Sequence, residues 1–72
     1  MADNGILARV PSEYVARASD LLPKPRADGP KEMTAEIDAA HVGRVRIRFV
    51  YYCHKNRKSM HEFWLACHAE AV

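Results

Sequence analysis

The chain has 72 residues, 49% of them apolar and 28% charged, with a formal net charge of +2. That length allows one domain with one small core, and that apolar fraction does not fit a chain disordered throughout. The apolar stretches are short and broken by charge, which excludes a membrane-spanning helix.

Met1-Ala-Asp-Asn-Gly5 has neither the basic start nor the apolar run of a signal peptide, so a cytoplasmic location is expected. The segment 1–11 is open to two readings, because Ile6-Leu7-Ala-Arg-Val10 suits a short first strand or a helical extension equally. Val10-Pro11-Ser12 opens a helix over 12–22, with Ser12 as N-cap and Glu13 at the positive end of the dipole. Tyr14, Val15, Ala18, Leu21 and Leu22 recur at helical spacing as one apolar face, and Pro23 and Pro25 end it. Residues 23–32 are a Pro-rich loop.

From residue 33 onward the period changes to two. Met33, Ala35, Ile37 and Ala39 alternate with polar residues, and a tight turn at 40–42 leads into a hairpin. Its arms are 44–54 and 60–69, and Lys55-Asn-Arg-Lys-Ser59 forms its polar tip. The expected fold is α+β, (β)αβββ, a three-stranded antiparallel meander with one helix on its apolar face. Its expected core is Tyr14, Val15, Leu21, Leu22, Ile37, Val45, Ile47, Phe49, Tyr51, Phe63 and Leu65.

Odd-numbered residues form the apolar set, so the register can be argued from the pleat. The turn at 40–42 sets Arg44 against Asp38, Arg46 against Glu36 and Arg48 against Thr34. A three-residue tip, Asn56-Arg57-Lys58, sets Phe49 against Leu65, Cys53 against His61, Val50 against Trp64 and Tyr52 against Glu62. It also sets Arg46 against His68 and Arg44 against Glu70. Arg44, Arg46 and Arg48 then form a comb on the outer face, largely matched by carboxylates.

Charge is uneven along the chain. Residues 1–43 hold five basic and seven acidic side chains, whereas residues 44–72 hold six and two. In the expected register Lys55, Arg57 and Lys58, with His54 beside them, lie away from carboxylates other than Glu62. Tyr52 and Trp64 share their side of the sheet. Cations beside exposed rings suit a phosphate backbone with stacked bases, and they also suit a protein interface. The candidate binding residues are therefore Arg46, Arg48, Tyr52, His54, Lys55, Arg57, Lys58 and Trp64.

Cys53, His54, His61, Cys67 and His68 invite comparison with a zinc site, but their spacing argues against one. Zinc takes four ligands at about 2.0–2.3 Å, whereas Cys67 falls on the order of 20 Å along the strands from Cys53. The same separation excludes a Cys53–Cys67 disulfide. No glycine-rich phosphate loop, nucleophile elbow or paired-carboxylate arrangement is present. No metal, cofactor or catalytic residue is expected.

The run Gly43-Arg-Val-Arg-Ile-Arg-Phe-Val-Tyr-Tyr-Cys-His-Lys55 with Phe63-Trp-Leu-Ala-Cys-His-Ala69 resembles the C-terminal strands of RelE/HigB-type toxins. That resemblance implies ribosome-dependent cleavage of messenger RNA, with Arg46, Arg48, Tyr52, His54 and Lys55 as the positional candidates. It spans under half the chain, and one helix stands where the family has two. The leading expectation is a small non-enzymatic binding protein, a regulator or inhibitor of the kind phages and mobile elements carry. Its target would be nucleic acid or a protein that handles it. The strand 60–69 is an edge unless the N-terminal segment covers it, which points to a homodimer.

Overall fold

A computed structural model of the chain describes residues 4–72; residues 1–3, with that part of the leader reading and of the segment 1–11, lie outside the described residues. A single 3-10 turn at Leu7–Arg9 precedes helix α1 (Ser12–Asp20), and strands β1 (Glu32–Ala39), β2 (Gly43–Lys55) and β3 (Met60–Ala71) follow. The strands form one antiparallel sheet in the order β1-β2-β3. This is the α+β arrangement expected from the alternation. Among the described residues no helix is long and apolar enough to cross a membrane.

Helix α1 starts at Ser12 without a side-chain cap; the Pro11 carbonyl accepts from the Tyr14 and Val15 amides instead. Its end comes at Asp20, two residues before the expected boundary. The closing turn tightens, with Leu21 N–H bonded to Ala18 O and Leu22 N–H to Ser19 O. Pro23 explains this stop, because the residue before a proline avoids the α region. Leu21, expected in the core, is exposed beyond this end, and Leu22 is half-buried.

The first hairpin has the expected register: Asp38 faces Arg44, Glu36 faces Arg46 and Thr34 faces Arg48. His41 and Gly43 both take positive φ in the turn, and at +92° Gly43 occupies a conformation that L side chains rarely adopt. Ala35, Ala39, Val45, Ile47 and Phe49 line up as the buried inner side. Helix α1 rests on β1 and β2, while the 3-10 turn reaches β3.

The second hairpin departs from expectation by one residue at each of two places. Lys55 pairs with Met60, so the tip has four residues instead of three. Asn56 organises it: its Oδ1 accepts from Lys58 N (3.0 Å), Ser59 N (2.9 Å) and Ser59 Oγ (3.1 Å). An Asn side chain that satisfies the amides after it is a standard way to hold a turn. The other change is a shift between Arg48 and Phe49: Arg48 faces His68 but Phe49 faces Ala66, leaving Cys67 as the extra residue of a bulge.

Between tip and bulge, a one-residue offset exchanges the two faces of β3. Trp64, expected outside, pairs with Tyr51 on the inner side and is only 8% exposed. Its indole N–H donates to Pro23 O at 2.8 Å. Phe63 and Leu65, expected in the core, face outward opposite Tyr52 and Val50. Beyond the bulge the faces return to the expected parity, with Ala69 and Ala71 opposite Ile47 and Val45.

This arrangement predicts opposite outcomes for adjacent residues. Trp64→Ala, which empties a buried ring site, should lower unfolding free energy by about 3–5 kcal/mol. Leu65→Ala, at a solvent-facing position, should change it by about 0.5 kcal/mol or less. Urea unfolding followed by circular dichroism distinguishes them; the three-residue tip would give the reverse order.

Candidate binding face

The outer face of the sheet has two unlike halves. Where β1 lies alongside β2, the arginine comb is matched to carboxylates. Arg44 reaches Asp38 Oδ1 (3.3 Å) and Glu36 Oε1 (3.5 Å). Arg46 spans from Glu36 Oε2 (3.1 Å) to Glu70 Oε1 (3.4 Å). Arg48 lies 3.8 Å from Glu32 Oε1. Glu70 stands opposite Arg46, where His68 was expected, and His68 opposite Arg48. The bulge accounts for this change.

Two of these guanidinium groups are held above their ordinary pKa. For Arg46 the main cause is its hydrogen bonding to Glu36, with Glu70 adding to it. For Arg48 it is Cys67 first, then the nearby Glu32 charge. Cys67 itself sits in the bulge with its thiol 3.4 Å from Arg48 O. Both cysteines are free. Arg46 and Arg48, proposed from sequence as binding residues, are thus drawn into the sheet's own charge network.

The other half begins where β1 stops. Glu32, the first residue of β1, pairs with Val50, and Tyr51 N–H still donates to Lys31 O (2.7 Å); from Tyr52 outward the ladder consists of β2 and β3 alone. On the outer side of this projecting ribbon, Tyr52 (45% exposed), Phe63 (40%) and Leu65 (46%) lie together around Val50. The Tyr52 and Phe63 rings meet with centroids 5.0 Å apart and planes tilted by 40°. His54 and His61 are paired across the strands next to them, and Ser59 Oγ lies 3.2 Å from His61 Nε2.

Arg57 and Lys58 crown this half, and Lys55, paired with Met60, projects from the inner side of the same tip; all three are exposed and without an ion pair among the described residues. Glu62, the carboxylate expected beside them, is turned to the inner face. There it accepts a hydrogen bond from Tyr51 Oη at 2.6 Å. The sequence reading therefore places Tyr52, His54, Lys55, Arg57 and Lys58 correctly at the outer end of the hairpin. It misplaces Trp64 and misses Phe63 and Leu65. The signal for the two missed residues was Asn56-Arg-Lys-Ser59, whose Asn can close a four-residue tip and thereby invert the strand that follows.

Three comparisons, with protein-family models, with curated proteins and with solved structures, find no match for this chain.

Tyr51 supplies a pH-dependent test of the inverted register. Its phenol is pushed well above its ordinary value of 10.0, first by the bond to Glu62 and then by burial. The folded state thus favours the protonated phenol. As pH rises past the ordinary phenol value, the unfolded chain ionises first and this contribution to stability declines until the folded group titrates. Tyr51→Phe should remove that part of the alkaline loss. Chemical denaturation of both proteins across the alkaline range measures the difference; identical pH profiles would contradict the Tyr51–Glu62 contact.

Proposed function

We propose that the chain acts by binding, and that the outer face of the projecting hairpin takes single-stranded nucleic acid. One observation carries this reading. Tyr52, Phe63 and Leu65 form an exposed patch on the outer face, next to a hairpin tip whose cations, Arg57, Lys58 and (from the inner side of the ribbon) Lys55, have no carboxylate partner among the described residues. Aromatic faces accept stacked bases of any sequence, and lysines and arginines beside them track the phosphates. The acidic residues of the outer face, Glu32, Glu36, Asp38 and Glu70, are each paired with an arginine, and none lies nearer the tip than Glu32, opposite Val50. The proposed contact set is Tyr52, Phe63, Leu65, His54, Lys55, Arg57 and Lys58; of the residues expected from sequence it leaves out the ion-paired Arg46 and Arg48 and the buried Trp64.

A regulator or inhibitor that occupies such a strand needs no reaction centre. The RelE/HigB-like reading makes a further demand, namely that bound RNA is cut, and one assay separates the two.

Fluorescence anisotropy with labelled single-stranded RNA and DNA tests the proposal. Three phosphate contacts predict a slope of log affinity against log salt of about −2. Lys55→Glu with Lys58→Glu should reduce that slope by about 1.4 and weaken binding to all sequences. Phe63→Ala should cost about 1–3 kcal/mol per stacked base and leave the slope unchanged. Oligonucleotide binding that ignores Phe63→Ala, or no binding at low salt, overturns the proposal. Capture of a nuclease-resistant protein partner lost on Phe63→Ala would assign the same face to a protein instead.

A further inference from the structure

Two complementary features lie on the inner face of β3, at opposite ends of one stretch of edge. At the tip end Met60 is 51% exposed. At the other, a groove of about 530 Å³ opens between α1 and the sheet, with Val15, Ala16 and Ser19 along its helix side and Phe49, Trp64 and Ala66 along its floor. The groove lies where α1, which rests chiefly on β1 and β2, only partly covers the inner face of β3.

The edge between these features offers main-chain pairing. The described part of the N-terminal segment meets β3 at Ala69, with Ile6 N–H bonded to Ala69 O (2.9 Å) and Ala69 N–H to Asn4 O (3.2 Å). Gly5 permits that approach, since a Cβ there would run into the Ala69 carbonyl oxygen. Residues 60–66 continue past it. The two edges of the sheet also differ in protection. The β1 edge carries Glu32, Glu36 and Asp38, charges that discourage pairing with an identical strand. In contrast, β3 presents Phe63-Trp64-Leu65-Ala66, without lysine or proline.

We infer that residues 60–66 of β3 pair antiparallel with the same residues of a second copy, about a two-fold axis at Phe63, so that the Met60 of each copy enters the groove of the other. This register sets 60 against 66, 61 against 65 and 62 against 64. It keeps Met60, Glu62, Trp64 and Ala66 on the inner face in both copies and His61, Phe63 and Leu65 on the outer; a slip of one residue would mix them. Side chains directly opposite in an antiparallel pair have Cβ atoms about 4.5–5.5 Å apart. Met60 of each copy therefore comes to rest over Ala66 of the other, at the groove mouth and beside Trp64. A flexible thioether against an aromatic ring suits a groove of irregular shape. The interface is isologous and closes on itself, giving one six-stranded sheet. The two Tyr52, Phe63 and Leu65 patches then flank the axis on a single outer face, which remains open.

Light scattering on the full chain over a wide dilution series tests the inference. The expected mass is that of two chains at high concentration, falling to one on dilution. Met60→Asp alters a side chain exposed in the single copy, so circular dichroism should stay unchanged. It should raise the dissociation constant by at least about tenfold, the scale of one buried apolar side chain. In a Cys53→Ser, Cys67→Ser background, Phe63→Cys should form a covalent dimer on oxidation, whereas Tyr52→Cys should not. Amide exchange over 60–66 in the unmodified chain should slow as concentration rises. A single-chain mass throughout overturns the inference. So does a dimer indifferent to Met60→Asp whose exchange over 60–66 does not depend on concentration.

Discussion

Trp64 lies between the sheet and the connector after α1, with its indole N–H donating to Pro23 O at 2.8 Å, and the placement of most of the second hairpin follows from that seat. A buried indole needs both apolar cover and an acceptor for its N–H. The inner face supplies both, with Phe49 alongside and the Pro23 carbonyl above. With Trp64 inward, the pleat sends Phe63 and Leu65 outward and brings Glu62 to the side where Tyr51 can donate to it. The four-residue tip and the bulge at Cys67 are the two backbone devices that admit this arrangement without disturbing Ala69 and Ala71 further along.

The unequal lengths of the strands then divide the outer face. The eight residues of β1 run beside the first part of β2, which continues to Lys55. Its carboxylates can reach Arg44, Arg46 and Arg48 and nothing nearer the tip. Charge is thus balanced where the sheet has three strands and unbalanced where it has two. The apolar patch falls in the unbalanced part because the inverted segment of β3 faces Val50 and Tyr52 there. Exposed rings and unmatched cations come together through one cause, the projection of a two-stranded ribbon past its neighbour.

A single helix cannot cover three strands. Its cross-section with side chains is about 10–12 Å, whereas strands lie about 4.8 Å apart, so roughly two are covered. In this protein α1 lies chiefly on β1 and β2, and the inner side of β3 is met by the 3-10 turn near Ala69 and by the connector after α1 at Trp64. The groove over Trp64 and the exposed Met60 are what that shortage leaves behind. A chain of this size has little apolar surface with which to complete a second layer by itself.

The element order, the first hairpin's register and the matching of the comb to β1 were legible in the sequence, because strict alternation in 33–39 and 43–49 admits one parity. The polar tip was legible as well, since Lys55-Asn-Arg-Lys-Ser59 has no apolar side chain to bury in any register. Phe63-Trp-Leu-Ala-Cys67 is different, being apolar at every position, and it can bury either its odd or its even members. The pattern within that run cannot choose between them; the Asn56 turn and the Cys67 bulge set the offset on either side of it, and Pro23, remote in sequence, holds it by accepting from Trp64. The sequence alone thus determined which segments pair, through their periodicity. Only the tertiary structure decided which side of the last strand faces water, because that depends on where the remainder of the chain provides cover and a hydrogen-bond acceptor.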